Sequence, residues 1–458
     1  MSGTLVVEGA TVVTVDASDT EHASGHVVVT DNRIVAVGAG PARETMRRDA
    51  GRVVDGTGCV LTPGLVNTHQ HLYQWATRGV ATDATLFEWL TALYPVWAGI
   101  DEETVHDAAA AALGWLARTG CTTSTDHHYV FPAGGGDLLG ATVTAAAEVG
   151  LRFHPTRGSM DLGRSDGGLP PDSVVEDRDA VLAATETAIT RFHDTAEDAM
   201  VRVAVAPCSP FSVTAELMTE AAELARRHGV RLHTHLAETA DEDEFCRDHF
   251  GATPTEYVDS LGWLGPDVWL AHAVHLDDGA VARLAASGTG VAHCPSSNAR
   301  LGAGIARTRD LVDAGVAVGL GVDGAASNEA GSLLEEARHA ALMARARGGP
   351  RALSARAALR LATHGGARVL GRDDAVGSIE IGKVADLALW RVDTLAHAGI
   401  ADPVTALVLG SQPPLELLLV DGRPVVERDR LVRLDEDELA RAAANVSRRL
   451  LESGGVGG

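Results

Sequence analysis

Nowhere in the 458 residues is there an apolar run of about 18 residues, the length a membrane-spanning helix needs. The opening stretch MSGTLVVEGATVVTVD has no basic segment followed by a long apolar core, so no export signal is expected either. Cysteine is scarce: the five, Cys59, Cys121, Cys208, Cys246 and Cys294, are widely spaced and form no Cys-x-x-Cys. This argues against a disulfide framework or a structural zinc knuckle and fits a reducing cytoplasm. Positive charge is also in short supply, 38 Lys and Arg against 62 Asp and Glu, for a net charge of -24. Such a balance disfavours nucleic acid and anionic membranes and leaves a small molecule as the expected partner. The His-x-Glu with a later Pro-Cys-x-x-Cys of the zinc deaminases that flip bases out of nucleic acid is absent as well.

A hydrophobic content of 45% over this length is that of a globular chain with one large and one smaller domain. Residues 1–62 alternate short β-rich pieces, TLVVEG, ATVVTVD, GHVVVT and IVAVGAG, with turns. From residue 63 the grammar changes to short apolar runs, each followed by an Ala-rich helical segment. Eight runs can be counted: GLVNTH, CTTSTD, LRFHPT, VRVAVAP, VRLHTHL, VWLAHAV, GVAHCP and VAVGLGVD. Together they predict a (β/α)8 TIM-like barrel over 63–375. Between them, Leu217, Ala221 and Leu224 form a helical stripe that ends before Gly229, a residue suited to a helix C-terminus.

Sheet grammar returns over 376–458 with GSIEIGKVADLALWRVD, VTALVLG and LELLLVDGRPVVER, where Asp421-Gly422 signals a hairpin. Neither end has enough strands to close a core alone, so the two are expected to join as a small β-sandwich domain. An amphipathic segment at 434–451 is expected to be a terminal helix. The connections 70–101 and 157–178 are long for βα loops and are candidate substrate covers.

In a parallel barrel the reacting groups sit at the C-terminal ends of the strands. Run one ends in His69 and His71, run five in His235 with Glu238 beyond it, run six holds His272 and run eight ends in Asp323. In a chain with 19 histidines, about 0.8 His-x-His pairs arise by chance, so His69 and His71 alone prove little. Several strand ends converging such groups on one mouth leave chance a poor explanation. His69, His71, His235 and Asp323 make an N3O set for one divalent metal, most simply zinc, with iron or manganese also compatible. An open coordination position points to catalysis. His233 lies one layer deeper and reads as a hydrogen-bonded core histidine; Cys208 and Cys294 read as buried small residues. His127 and His128 end run two, as either substrate contacts or structural residues.

The segments PGLVNTHQH, HTHLAE, LAHAVHL, HCPSSN, GLGVDGAASN and GSIEIGKVADLALW resemble the amidohydrolase superfamily, in its single-metal branch of guanine, S-adenosylhomocysteine and triazine deaminases and hydrolases. Within it, NTHQHLYQ, TDHHYVFP, FHPTRGSMDLGRSDGGLPPDS, APCSPFSV and RLHTHLAETADEDEF are most similar to bacterial 8-oxoguanine deaminases. The resemblance implies metal ligands at His69, His71, His235 and Asp323 and proton-transfer groups at Glu238 and His272. It implies a substrate amide contact at Gln74. Where guanine deaminases present an Arg after strand four, this chain has Cys208, which favours a differently substituted ring. The expected reaction is hydrolytic deamination of a free purine-like aminoheterocycle, 8-oxoguanine to urate, with guanine, isoxanthopterin or an s-triazine as alternatives. Glu238 is expected to shuttle a proton to a ring nitrogen, His272 to hydrogen-bond the attacking oxygen and Asp323 to accept a second proton. Tyr73 and Trp75 are candidates to stack on the substrate, and Arg157 and His128 to contact it. A non-enzymatic barrel scaffold would have lost one of these positions, and none is lost. A homodimer is the expected assembly, as the commonest symmetric one.

Overall fold

The computed structural model describes residues 3–455. All eight runs carry barrel strands: Leu65–Asn67, Cys121–His128, Arg152–Ser159, Ala204–Pro207, Leu232–Leu236, Val268–His272, Gly290–His293 and Val318–Leu320. Each pairs in parallel with the next, and the last closes on the first through Leu320 and Asn67. Parallel neighbours require a long return, and the Ala-rich segments supply it as helices. In Ala215–His228, Leu217, Ala221 and Leu224 face the barrel, and the helix ends at Gly229, whose φ of 65° is the left-handed conformation of a cap.

The chain ends build one nine-stranded sheet. Strand Cys59–Pro63 lies between Thr4–Val13 and Leu387–Arg391, so backbone hydrogen bonds join the two ends directly. The edge strand Arg33–Ala39 curls back, its Ile34 N–H donating to Lys383 O. Val7, Val12, Val27, Leu61, Leu387 and Leu419 then share one apolar cluster drawn from both ends. Asp421 and Gly422 take φ of 53° and 70° between Leu415–Val420 and Arg423–Glu427, which is the primed turn their sequence suggests.

One expected strand is corrected. VTALVLG forms the helix Pro403–Leu409, because Asp402 caps it by accepting from Thr405 N–H and Pro403 occupies the first turn. That cap signature outweighs the β-branched content. The terminal helix runs Glu436–Ser453 and buries Val446 and Leu450, with its side packed on Glu102–Arg118. Connection 70–101 folds into a short helical turn, Leu72–Thr77, and the helix Leu86–Trp97. Among the described residues no helix is long and apolar enough to cross a membrane.

Candidate active site

His69 and His71 follow the first barrel strand, His235 lies in the fifth and Asp323 just beyond the eighth, and all four side chains meet at the C-terminal mouth. Asp323 Oδ1 is 3.2 Å from both His69 Nε2 and His71 Nε2, and His71 Nε2 is 3.1 Å from His235 Nε2. The other nitrogen of each ring decides what these contacts mean. His71 Nδ1 donates to His127 O at 2.6 Å and His235 Nδ1 to Cys208 O at 2.7 Å, so both Nε2 atoms of the neutral rings are lone pairs. His233 Nδ1 donates to Trp269 O, which makes His233 Nε2 the acceptor for His69 Nδ1 at 2.8 Å. His69 Nε2 is therefore a lone pair too, buried and without a hydrogen-bond partner among the described residues.

Three imidazole lone pairs and a carboxylate thus face one point. Burial keeps His69 and His235 neutral by pushing their pKa values well down, so protonation does not relieve the repulsion. A cation at that point does, and the N3O donors suit a zinc-type ion. His127, with its Nδ1 buried and unpartnered, adds a fourth imidazole to the cluster. Its ring is stacked 4.6 Å from that of His235.

Asp323 is held by its surroundings: Ser297 Oγ donates to Oδ2 at 2.6 Å, Ser327 Oγ to Oδ2 at 3.2 Å and Gly324 N–H to Oδ1 at 2.7 Å. Burial opposes its charge, and these three donors are what answers it. Beside it, Glu238 is buried and, among the described residues, has no ion-pair partner other than His272, whose Nε2 lies 3.6 Å from Oε2. Burial first, and the Asp323 charge second, push the Glu238 carboxyl well up. His272 Nδ1 donates to Asn298 Oδ1 at 2.9 Å, which leaves Nε2 as a hydrogen-bond acceptor facing the cavity. The backbone is bent to achieve this: Ala237, His272 and Asp323 have φ of 53°, 71° and 60°, a region costly for residues other than glycine. Glu242 pins the first of these bends by accepting from the N–H groups of Ala237 and Glu238 at 2.8 and 2.9 Å.

His71, His235, Glu238, His272 and Asp323 line a cavity with Gln74, Tyr129, Cys208, Phe211 and Ser327. Leu86, Trp89, Leu90 and Tyr94 of the 70–101 connection form its roof, whereas no residue of 157–178 lines it. Gln74 stands where a substrate contact was expected, with both amide atoms buried and unpartnered. Four other expected contacts are corrected. In strands, successive side chains alternate sides, and His127 faces the barrel interior, so His128 faces outward. Register pairs His128 with Arg157, which sends Arg157 outward too. There Arg157 bonds Glu176 at 2.7 Å and stacks 3.5 Å over Phe131. Tyr73 packs edge-on against Trp97, His128 and Tyr129 instead of reaching the cavity, and Trp75 lies under Arg78 in a separate surface groove.

Several functional neighbours escaped sequence reasoning. Tyr129 sits one residue past His128 and Phe211 three past Cys208, so loop position alone could have flagged them. Glu242, Asn298, Ser297 and Ser327 act on other site residues through hydrogen bonds, which no spacing in the sequence announces.

The amidohydrolase family model matches residues 60–425. An 8-oxoguanine deaminase of Pseudomonas aeruginosa is 47% identical over 405 residues, 87% of this chain and 89% of that protein. An isoxanthopterin deaminase of an unknown prokaryotic organism is 40% identical over 87% of each chain. Among solved structures, atrazine chlorohydrolase of Arthrobacter aurescens complexed with zinc superposes with a TM-score of 0.92 at 34% identity, covering 97% of this chain and 100% of that one. The metal-ready mouth, the closed barrel and these matches agree: the chain belongs to the amidohydrolase family.

Proposed function

We propose that the protein is a hydrolytic deaminase that converts free 8-oxoguanine and water to urate and ammonia. The observation that carries this reading is the set of lone pairs at one point with a protonatable, unligated Glu238 beside it. The substrate is inferred from the relative at 47% identity and from the cavity lining, which holds no Arg or Lys among the described residues. Cys208, whose thiol burial pushes up to about 12, presents a neutral wall, and Gln74 offers a donor and an acceptor to an amide-like ring edge.

His69, His71, His235 and Asp323 would hold the divalent ion, zinc by donor type. Such an ion lowers the pKa of a water from the bulk value to about 7 and so makes a nucleophile available at neutral pH. Glu238 takes a proton from the attacking water and passes it to a ring nitrogen, which makes the adjacent carbon electrophilic. His272 Nε2 accepts a hydrogen bond from the attacking oxygen and so orients it. The Asp323 carboxylate accepts the second proton and passes it to the amino group, which leaves as ammonia. The roof from 70–101 excludes bulk water from this exchange. Five buried free thiols fit the cytoplasm as its compartment.

The test is ammonia release by zinc-loaded enzyme from 8-oxoguanine, guanine, isoxanthopterin and aminotriazines. The highest kcat/KM is expected for 8-oxoguanine. Preference for isoxanthopterin would move the assignment to a pterin, and no ammonia from any of them would end the deaminase reading.

A further inference from the structure

The opposite, N-terminal end of the barrel holds a group of cations that the chemistry at the mouth does not use. Segment 366–376 closes this floor, with Val369, Leu370, Ala375 and Val376 packed on Val66, Ala204 and Trp269. Four guanidinium groups surround it. Arg152 and Arg372 each donate from Nη1 to Ala199 O, at 2.9 and 2.8 Å. Arg202 Nη1 donates to Gly371 O at 3.2 Å and Arg231 Nη2 to Val369 O at 2.9 Å. A Cβ on Gly371 would come within 2.8 Å of Arg231 Nη1, so the last of these lies directly against the turn that carries Arg372.

Only Arg152 has its charge answered, by Asp386 at 3.1 Å. Arg202, Arg231 and Arg372 form no ion pair among the described residues; Asp267 is committed to Arg226 and Glu197 to Arg33, and Asp194 and Asp373 act on the group only from farther off. Nε of all three, and Nη2 of Arg372, are buried without a partner. His154, on the interior side of its strand and 6.2 Å from the Trp269 ring, has both nitrogens buried and unpartnered. Burial first, and the charges of Arg372, Arg231 and Arg202 after it, push its pKa well down, and the Arg231 guanidinium lies against the same Trp269 ring, 6.0 Å from its centroid. Arg372 itself is 2% exposed.

A buried cation with free donors is among the costliest arrangements a fold can hold, and Arg372, with the half-buried Arg202 and Arg231 beside it, calls for a counter-charge. We propose that the barrel floor binds a small inorganic anion of chloride size, held by Arg372 with donors from Arg231, Arg202 and His154. The donors lie out of reach of solvent, which favours a monatomic ion over phosphate. Such an ion ties the 366–376 plug to the strand starts and acts on stability, at the end of the barrel away from the reaction.

Two measurements on the metal-loaded enzyme test this. Crystals soaked in bromide should show an anomalous peak between Arg372, Arg231 and His154. Melting temperature should rise saturably when chloride replaces gluconate at constant ionic strength, and Arg372→Met should abolish that rise while keeping kcat/KM within about twofold of the parent. Water density in place of the peak, or equal melting in chloride and gluconate, would overturn the proposal. Should Arg372→Met fail to fold, the bromide peak and the anion dependence of the unmodified chain still decide it.

Discussion

At the scale of single residues, the site depends on which atom of each side chain is free. Among the described residues the Glu238 carboxylate forms an ion-pair contact with His272 alone, so Glu238→Gln should keep one metal per chain by elemental analysis while kcat falls by about 10²- to 10⁴-fold. Loss of metal in step with activity would make Glu238 a ligand and the proton-transfer role wrong. Gln74 gives a second, independent case. A Cβ at position 324 would overlap the Gln74 amide, so Gly324→Ala should displace that amide and raise KM more than it lowers kcat. An unchanged KM would remove Gln74 from the substrate contacts. The residues that met at the mouth were legible because strand ends in a barrel are a fixed place in the chain. His128 and Arg157 were not, since both faces of barrel strands are buried and the sequence alone does not say which face looks inward, and Tyr73 was not, since it lies in the helical turn Leu72–Thr77, where nearly every side chain is buried.

At the scale of elements, all eight barrel strands could be read from apolar runs, because parallel strands covered on both faces need continuous apolar sequence. Pro403–Leu409 shows the limit, where a cap residue and a proline decided against local β preference. The helix Leu333–Gly348 brings another consequence that spacing did not reveal. Its Glu336 accepts from Ser296 N–H at 3.0 Å and Asn328 Nδ2 at 2.9 Å, joining the helix Pro295–Arg300 that carries Ser297 to the loop that carries Asp323. Burial raises its pKa from 4.5 to about 8. The unfolded chain releases this proton above pH 4.5 and the folded chain only near 8, so the stability it contributes is complete below 4.5 and is lost as pH rises through 8. Glu336→Gln does not titrate; its melting temperature relative to the parent should climb between pH 5 and 8. A constant difference across that window would show that Glu336 is already ionised in the fold.

At the scale of the whole molecule, the mouth draws its donors from strands one and eight, which meet where the barrel closes, and from strand five on the opposite side. An ion binding only the folded chain stabilises it by about 2.7 kcal/mol when present at 100 times its dissociation constant. Chelation should therefore lower the melting temperature of the entire barrel as one transition, and zinc should restore it. A melting temperature indifferent to zinc would mean that the donor set is satisfied without a cation.

The sheet that stitches Cys59–Pro63 to Leu387–Arg391 has a consequence for how the chain is made. A ribosome releases the first partner long before the second exists, so for most of translation the Cys59–Pro63 strand carries an open edge. Its protection waits on the last stretch to emerge. Truncation anywhere before Leu387 should thus yield an aggregating product even though every barrel strand has already been synthesised.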